Sequence, residues 1–248
     1  MENKDFINYN EIALMALKKI DSTQDFAKKI IIDKKIWQNT MILAFEQTKG
    51  RGTGNKLWSS PKGNLYSSFV FKLPPNKPLS EVSFVSAKAV IKTLVDLGLN
   101  AKCKWVNDIF VNMRKICGIL VEQVGEYAII GTGINIVYYP KTTPFYEATS
   151  LLREGIEIDV RDLLTKYSQN LSEAINSWVR FGFESVLDYW KAHALWLNET
   201  VRILDTAGNL QYEGIFTDVD KDGALFLKVE DGAIKKIISG SLTPRYET

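Results

Sequence analysis

The 248-residue sequence contains one histidine and two cysteines, and these low counts exclude several kinds of site. Cys103 and Cys117 have no second cysteine pair at metal-ligand spacing, so the sequence predicts no zinc site. Both thiols are expected to be reduced and buried. His193 lies in a predicted helix without a Cys or Asp pattern around it, so we expect a structural role. No Ser-His-Asp or Cys-His arrangement can be built convincingly.

Long apolar runs and a large excess of one charge are also absent. No apolar stretch approaches the ~20 residues that a membrane-spanning helix needs. The net charge is +2, so nothing global argues for a polyanionic partner such as nucleic acid. The segment Met1–Phe6 is polar and lacks a signal-peptide apolar core. We therefore expect a cytoplasmic protein that binds neither membrane nor specific DNA.

The overall composition is ordinary for a folded protein, with 46% hydrophobic and 24% charged residues. The length suggests one or two domains with a large core. Apolar residues at helical spacing predict helices that begin at Asp21–Thr23, span Ser80–Leu97, follow Asp159 and span Phe183–Leu195. Shorter apolar runs predict strands at Met41–Glu46, Leu65–Phe71, Lys102–Trp105, Ile109–Val111, Ile116–Gln123 and Tyr127–Ile136.

The sequence pattern changes after Leu197. From there, short alternating strands are separated by turns at Ala207–Asn209, Lys221–Gly223 and Glu230–Gly232. Such spacing of turns is typical of a small all-β module. We therefore predict two domains, at residues 1–197 and 198–248.

The most informative segment is the glycine-rich loop Gln47–Trp58, which reads Gln-Thr-Lys-Gly-Arg-Gly-Thr-Gly-Asn-Lys-Leu-Trp. Glycines let a backbone approach a ligand closely, and successive amides in such a loop form an anion-binding concavity. Arg51 adds planar donors suited to a carboxylate or a phosphate. The loop follows the apolar run Met41–Phe45, so we expect an anion-binding loop at the end of a buried strand. On turn chemistry alone, such a loop is as often a solvated turn.

Five further blocks accompany the loop, namely Asp21–Gln24, Trp58–Tyr66, Lys104–Asp108, Arg114–Glu122 and Gly131–Asn135. In this order and spacing they resemble the biotin–protein ligases, enzymes that attach biotin to a carboxylase lysine. The resemblance extends from about residue 12 to the C-terminus. It implies an α+β fold, in which a mixed sheet backed by helices, of the class II synthetase-like type, precedes a C-terminal SH3-like β-barrel.

The resemblance also implies a reaction and its partners. In the family, the biotin carboxylate attacks the α-phosphate of ATP, pyrophosphate leaves, and a protein lysine then attacks the biotinyl-adenylate. Such chemistry depends on cations, backbone donors and exclusion of water more than on a catalytic base. Mg²⁺ would bridge phosphates near Asp108 rather than sit in a complete protein cage. The acceptor would be a biotin carboxyl carrier protein or domain. A homodimer is possible in this family.

Site residues follow from the same resemblance. Catalytic roles fall to Arg51, Lys104 and Lys115. Biotin contacts fall to Ser22, Thr23, Gln47, Gly50, Arg51, Lys115, Gly118 and Gly131. Nucleotide contacts fall to Thr53, Trp58, Asn107, Asp108, Asn135 and Arg245. Thr53 departs from the family, which usually has arginine there, so retention of the adenylate is expected to differ. Val106 stands where the family usually has proline, which is expected to loosen the turn without removing its polar groups.

Several of these residues also have a purely structural interpretation. Ser22 and Thr23 can cap a helix, and Trp58 can anchor the loop in the core. Lys115 can be a solvated turn residue, and Gly118 can mark a strand bulge. Trp105, inside the Lys104–Asp108 block, is expected to pack in the core rather than contact a ligand.

Other functions stay open on the sequence alone. A lipoate–protein ligase has related architecture and also activates a carboxylate, although the Gly-Arg-Gly loop and the Lys115–Gly118 spacing favour biotin. A non-catalytic adaptor with a peptide-binding β module would have no use for the pair of Arg51 and Lys115. About twenty residues precede the Asp21–Gln24 block, too few for the DNA-binding domain that some family members carry, so we expect no operator binding.

Overall fold

The structure is a computed structural model, and it describes residues 11–36, 38–141, 146–205 and 207–245. Within these ranges the chain forms a large β-sheet, helices that cover it, and a small β-sheet near the C-terminus. The predicted combination of a mixed sheet backed by helices with a C-terminal β module is confirmed. The polar segment Met1–Phe6 lies outside the described residues.

The large sheet has seven strands, numbered in chain order. They are β1 (Ala13–Leu17), β2 (Thr40–Ala44), β3 (Leu65–Lys72), β4 (Ala101–Lys104), β5 (Asp108–Val111), β6 (Arg114–Val124) and β7 (Tyr127–Ile134). Their spatial order is β1-β2-β3-β7-β6-β5-β4. β1 and β2 pair in parallel and the other neighbours pair antiparallel, so the sheet is mixed. β1 has no counterpart among the predicted strands, because most of its side chains are exposed at the sheet edge.

Helices cover both faces of the large sheet. They are α1 (Thr23–Ile32), α2 (Leu79–Asp96), α3 (Val160–Phe181) and α4 (Glu184–Ala192). Side chains alternate between the two faces of a strand, so each strand contributes to two cores. In β2, Ile42 packs in the core under α1, whereas Met41 and Leu43 pack in the larger core under α2 and α3.

Helix ends follow the capping residues that the sequence provides. Ser22 precedes α1, and its Oγ accepts a hydrogen bond from the backbone N of Asp25 at 3.3 Å. Asp159 precedes α3 and accepts from the backbone N of Arg161 at 2.7 Å. Gly182 ends α3 with φ of 83°, a conformation that favours glycine. The predicted starts of α1 and α3 are confirmed.

The small sheet has five antiparallel strands in the order β11-β10-β9-β8-β12. Its strands are β8 (Thr200–Leu204), β9 (Leu210–Val219), β10 (Leu225–Lys228), β11 (Ile234–Ile237) and β12 (Ser241–Pro244). Trp105 joins the two sheets, because its Nε1 donates a hydrogen bond to the carbonyl of Gly223 at 3.0 Å. The division of the chain between residues 197 and 198 stays a prediction.

Several other expectations agree with the structure. Cys103 and Cys117 are free and buried, and Trp105 is buried as a core residue. His193 stacks on Tyr189 and its Nδ1 lies 2.8 Å from the carbonyl of the same residue, which fits a structural role. Among the described helices, none combines the length and the apolar character needed to cross a bilayer.

Candidate active site

A first cavity lies between the large sheet, the first turn of α1 and the glycine-rich loop. Its volume is about 490 Å³ with its opening to solvent included. The predicted site residues that line it are Ser22, Thr23, Gln47, Arg51, Thr53, Trp58, Asn107, Asp108, Lys115, Gly118 and Gly131. Motifs that are far apart in the sequence therefore converge on one cavity.

One end of the first cavity is polar. The backbone N and Oγ1 of Thr23 both donate to Oε1 of Gln47, at 2.8 and 3.1 Å. Nε2 of Gln47 donates to Oγ of Ser60 at 2.9 Å. Because one amide side chain bonds both α1 and the loop, the two elements are fixed relative to each other. This end of the cavity suits a ligand that carries both donors and acceptors.

Gln24 and Ser68 belong to the polar end, although the sequence analysis gave them no role. Both are almost fully buried, and Oγ of Ser68 lies 2.9 Å from both Oγ1 of Thr23 and Oε1 of Gln24. A Cβ on Gly131 would lie 2.6 Å from Oε1 of Gln24, so a larger residue there would displace this amide. Two features of the sequence could have identified them: Gln24 belongs to one of the motifs, and Ser68 interrupts an apolar strand.

Arg51 lies at the edge of the first cavity, where two carboxylates hold it. Its Nη1 and Nη2 lie 3.0 Å from the two carboxylate oxygens of Glu122, and Nη1 lies 2.8 Å from Oδ1 of Asp25. Lys28 also pairs with Glu122, at 2.7 Å. Burial opposes the charge of Arg51, but Glu122 and Asp25 outweigh it and raise its pKa. Burial would raise the pKa of Glu122, but Lys28 and Arg51 lower it.

The backbone of the glycine-rich loop is bonded within the loop. The amide of Gly52 donates to the carbonyl of Lys56 at 2.7 Å, and the amide of Trp58 donates to the carbonyl of Gly50 at 2.9 Å. A Cβ on Gly50 would collide with Oγ of Ser60 and with the carbonyl of Trp58. Gly50 is therefore required for packing and does not line the cavity. The predicted contact of Gly50 with biotin stays a prediction.

Trp58 lies against the backbone of two neighbouring strands. A Cβ on Gly118 would lie 2.8 Å from Cζ3 of the indole, and a Cβ on Gly133 would lie 2.5 Å from its Nε1. Glycine at both positions therefore makes room for the indole. Nε1 is buried, and no residue in the described part of the chain accepts a hydrogen bond from it. Stacking on adenine and anchoring of the loop both stay predictions for Trp58.

Lys104, Asp108, Lys115 and Tyr146 form a buried cluster beside the first cavity. Oδ1 of Asp108 lies 2.6 Å from Nζ of Lys115, and Oδ2 lies 3.4 Å from Nζ of Lys104. The Tyr146 hydroxyl donates to Oδ2 of Asp108 at 3.1 Å and accepts from Nζ of Lys115 at 3.4 Å. Two ammonium groups thus face one carboxylate. Tyr146 lies outside the sequence motifs, and no local pattern marked it.

The charges in the buried cluster shift several pKa values. Burial would raise the pKa of Asp108, but Lys115 and Lys104 outweigh it and lower that pKa to about 2. Burial lowers the pKa of Lys104, and Asp108 offsets this only in part. Burial opposes the charge of Lys115 as well, but Asp108 outweighs it and raises the pKa of Lys115. Burial and Asp108 raise the pKa of Tyr146 to about 12, so its hydroxyl is protonated at neutral pH.

A second cavity adjoins the first. The two cavities share the wall formed by Thr53, Asn107, Asp108 and Lys115. The second cavity is further lined by Lys104 and Tyr146 of the buried cluster, by Lys56 of the loop, and by Asp205, Gly240 and Ser241 of the C-terminal part. Lys104 therefore borders the second cavity rather than the first. Asp108 and Lys115 are accessible from both sides.

Two predicted nucleotide contacts reach neither cavity. Asn135 is buried behind them, where its Nδ2 donates to the carbonyl of Thr149 at 2.9 Å. Arg245 is half exposed, and its Nε lies 3.3 Å from a carboxylate oxygen of Glu213 on β9. Asn135 thus supports the wall behind the site, and Arg245 pairs within the small sheet. Asp205, Gly240 and Ser241 are the residues of the C-terminal part that face the second cavity.

A mixed sheet that carries two adjoining, cation-lined cavities has the architecture of a small-molecule-binding catalytic domain. Residues 16–135 match the biotin/lipoate A/B protein ligase family, and residues 196–241 match the biotin protein ligase C terminal domain. The chain belongs to the biotin protein ligase family.

Curated relatives cover most of the chain. The bifunctional ligase/repressor BirA of Bacillus subtilis is 29% identical over 237 residues, which cover 90% of this chain and 71% of the relative. BirA of Escherichia coli is 29% identical over 243 residues, covering 94% and 74%. The biotin–[acetyl-CoA-carboxylase] ligase of Paracoccus denitrificans is 29% identical over 231 residues, covering 86% of this chain and 92% of that protein.

Solved structures extend the similarity to the fold. The biotin protein ligase of Aquifex aeolicus in complex with biotin and ATP superposes with a TM-score of 0.80 at 28% identity, covering 93% of this chain and 97% of that one. The biotin protein ligase of Leishmania major in complex with biotinyl-5-AMP superposes with a TM-score of 0.63 at 27% identity, covering 92% and 99%.

Proposed function

We propose that this chain is a biotin–protein ligase that forms biotinyl-5′-AMP from biotin and ATP and then transfers biotin to a lysine of a carrier protein. The observation that carries the proposal is the wall shared by the two cavities. Lys115 and Asp108 stand on it, so both can face the junction of two substrates bound side by side. Family membership and the likeness to a ligase in complex with biotin and ATP support the same assignment.

Biotin would occupy the first cavity. The polar end formed by Thr23, Gln24, Gln47 and Ser68 suits the ureido ring, which has both N–H donors and a carbonyl acceptor. The carboxylate at the other end of the molecule would then point towards Lys115. Arg51, at the edge of the cavity, could exchange a protein carboxylate for the carboxylate or phosphate of a ligand.

ATP would occupy the second cavity, with its α-phosphate at the shared wall. A carboxylate oxygen of biotin attacks the α-phosphorus, the bond to the β-phosphate oxygen breaks, and pyrophosphate leaves. Lys115 and Arg51 stabilise the negative charge that develops on the phosphate oxygens. In the transfer step, the lysine amine attacks the acyl carbon, AMP leaves and the amine loses a proton. Lys104, which faces the carboxylate of Asp108, is assigned to this transfer step.

Mg²⁺ is part of the proposal as the ion that accompanies ATP. Among the described residues, no group of three or more His, Cys, Asp or Glu could hold a metal ion. The phosphates would therefore supply most of its oxygen ligands. Asp108 lines both cavities and is the carboxylate that would approach the ion. Such an ion would neutralise phosphate charge.

The decisive experiment measures pyrophosphate release by the purified chain with ATP and Mg²⁺, with and without biotin. We expect release that requires biotin, followed by labelling of a purified biotin-acceptor domain. Release without biotin, or none in its presence, would contradict the proposal. An acceptor domain in a biotin-dependent carboxylase, a possible homodimer and a cytoplasmic location stay predictions.

Lipoate–protein ligase activity is the second candidate, because the matched family includes lipoate enzymes. Two observations favour biotin: the polar end of the first cavity, which a lipoyl dithiolane ring would not use, and the match of the C-terminal residues to a biotin protein ligase domain. Calorimetric titration with each acid, with and without ATP, separates the two. Tighter binding of lipoate than of biotin would decide for the alternative.

A further inference from the structure

Tyr146 is the member of the buried cluster that neither the motifs nor the proposed roles include. We propose that Tyr146 is a positioning residue for the adenylation step, whose aromatic ring holds the ammonium groups of Lys104 and Lys115 beside Asp108 so that both face the second cavity. The proposal rests on the proposed function, since it assigns the second cavity to ATP.

The ring of Tyr146 contacts both ammonium groups. Nζ of Lys104 lies 4.7 Å from the ring centroid, and Nζ of Lys115 lies 5.5 Å from it. Both distances fall within the ~6 Å over which an aromatic ring attracts a cation. The side chains of Lys104 and Lys115 are 5% and 16% exposed, so little water competes with the ring for these charges.

The contact with the ring stabilises the cluster because the cluster has more positive than negative charge. Two ammonium groups share the single carboxylate of Asp108, and like charges at close range repel each other. An aromatic ring offers the negative face of its quadrupole to a cation, whereas an aliphatic side chain of similar size offers nothing. The hydroxyl adds a hydrogen bond to Asp108, which already pairs with both lysines. The ring is therefore expected to contribute more than the hydroxyl.

The backbone that follows Tyr146 pairs with Lys115 through a parallel bridge at Ala148. The amide of Lys115 donates to the carbonyl of Glu147 at 2.8 Å, and the amide of Thr149 donates to the carbonyl of Lys115 at 2.9 Å. Phe110 packs edge-on against the ring, with a centroid distance of 5.1 Å. Ring and lysine are thus held by one local network, and a shift of the ring would shift the ammonium group of Lys115.

Tyr146 lines the second cavity but not the first. Its hydroxyl bonds Lys115 and Asp108, whereas Thr23 and Gln47 at the polar end of the first cavity bond each other and Ser60. Loss of the ring should therefore weaken the use of ATP clearly more than the binding of biotin alone, whose ring would be held at the polar end. A general loss of structure would affect both ligands.

The test compares Tyr146→Leu with Tyr146→Phe, and Tyr212→Leu on β9 serves as the control for loss of a tyrosine at a distance. Pyrophosphate release is measured at varied ATP, and calorimetry measures the affinity for biotin without ATP and for ATP with Mg²⁺. We expect Tyr146→Leu to lower kcat/KM for ATP by about 10- to 30-fold, the scale of a desolvated cation–ring contact. Tyr146→Phe keeps the ring and should lose less, about threefold, because Asp108 and Lys115 still pair with each other when the hydroxyl is removed.

Three results would overturn the proposal: a Leu variant with wild-type kcat/KM for ATP, equal losses in both variants, or a parallel loss of biotin affinity. If the wild-type chain binds ATP but releases no pyrophosphate, the proposed function fails and the calorimetric affinities for ATP decide. Weaker ATP binding by the Leu variant than by the Phe variant then supports the role of the ring. Equal ATP binding by the two variants contradicts that role. A wild-type chain that binds no ATP overturns both proposals.

Discussion

The two cationic groups that border the first cavity are built in opposite ways. Arg51 extends from a loop, and together with Lys28 it faces two carboxylates, those of Asp25 and Glu122. Lys115 stands on a strand, and together with Lys104 it faces the carboxylate of Asp108. The side chain of Arg51 is 27% exposed and that of Lys115 is 16% exposed.

This difference separates an adaptable binding group from a fixed one. The Asp25 carboxylate is exposed, and exposed ion pairs contribute only about 0–1 kcal/mol, so a ligand anion can replace Asp25 beside Arg51 at small cost. The cluster around Lys115 already contains more positive than negative charge, and a phosphate group would balance it. We therefore expect loss of Lys115 to lower activity more than loss of Arg51.

The largest effect is expected from Lys115→Ala. It removes the cation of the shared wall and should lower biotin-dependent pyrophosphate release on the order of 10²- to 10³-fold, as loss of a group that stabilises developing charge does. Lys62→Ala, an exposed lysine outside both cavities, is the matched control. Adenylate formation at the wild-type rate would show that the role assigned to Lys115 is wrong.

A second prediction concerns acid stability and Asp108. The two lysines lower its pKa to about 2 in the folded protein, below the ordinary aspartate value of 3.8. A lowered folded pKa means that the stabilisation is present above pH 4 and is lost as the pH falls towards 2. This loss should amount to roughly 2 kcal/mol in the free energy of unfolding.

The measurement is denaturant unfolding between pH 5 and pH 2. The Asp108→Asn variant should be less stable than the wild type at pH 5, because both lysines lose their carboxylate. Its stability should also fall less steeply below pH 4. An unchanged slope would mean that Asp108 does not titrate as its contacts indicate.

Arg51→Ala tests the adaptable side of the comparison. Since its charge is already matched by Glu122 and Asp25, we expect a smaller loss, about 10-fold in kcat/KM for biotin. Arg51→Lys keeps the charge but not the planar fork and should recover only part of it. A loss as large as that of Lys115→Ala would remove the distinction between the two groups.

The smallest effect is expected from Thr53→Arg, which adds a charge to the shared wall. Thr53 is exposed and lines both cavities, so an arginine there could contact the phosphate of the adenylate. We expect release of free adenylate, trapped with hydroxylamine without an acceptor, to fall by about threefold, in line with an exposed ion pair. Thr53→Gln, with similar length and no charge, should leave the release close to that of the wild type.

Elements with a strong local pattern were predicted well from the sequence. The buried strand β3, the caps of α1 and α3, and the change of pattern before the small sheet all depend on residues close in sequence. β1 was missed because it is an edge strand, and Leu14 and Met15 are exposed where a half-buried strand would alternate.

The candidate site was predicted only as a set of residues. The hydrogen bonds and ion pairs between its side chains could not be predicted, because they join residues far apart in the chain. Arg51 and Glu122 are 71 positions apart, and Lys115 and Tyr146 are 31 apart. The motif that contains Glu122 gave no reason to pair it with the loop. Likewise, the resemblance assigned ligand roles to Asn135 and Arg245, whose side chains bond within the protein.

The hydrogen bond from Trp105 to Gly223 makes the small sheet a brace for the turn between β4 and β5. That turn carries Lys104 and Asp108 at its two ends. A chain shortened before the small sheet would lose this brace, so we expect it to hold Lys104 and Asp108 less firmly than the full-length chain does.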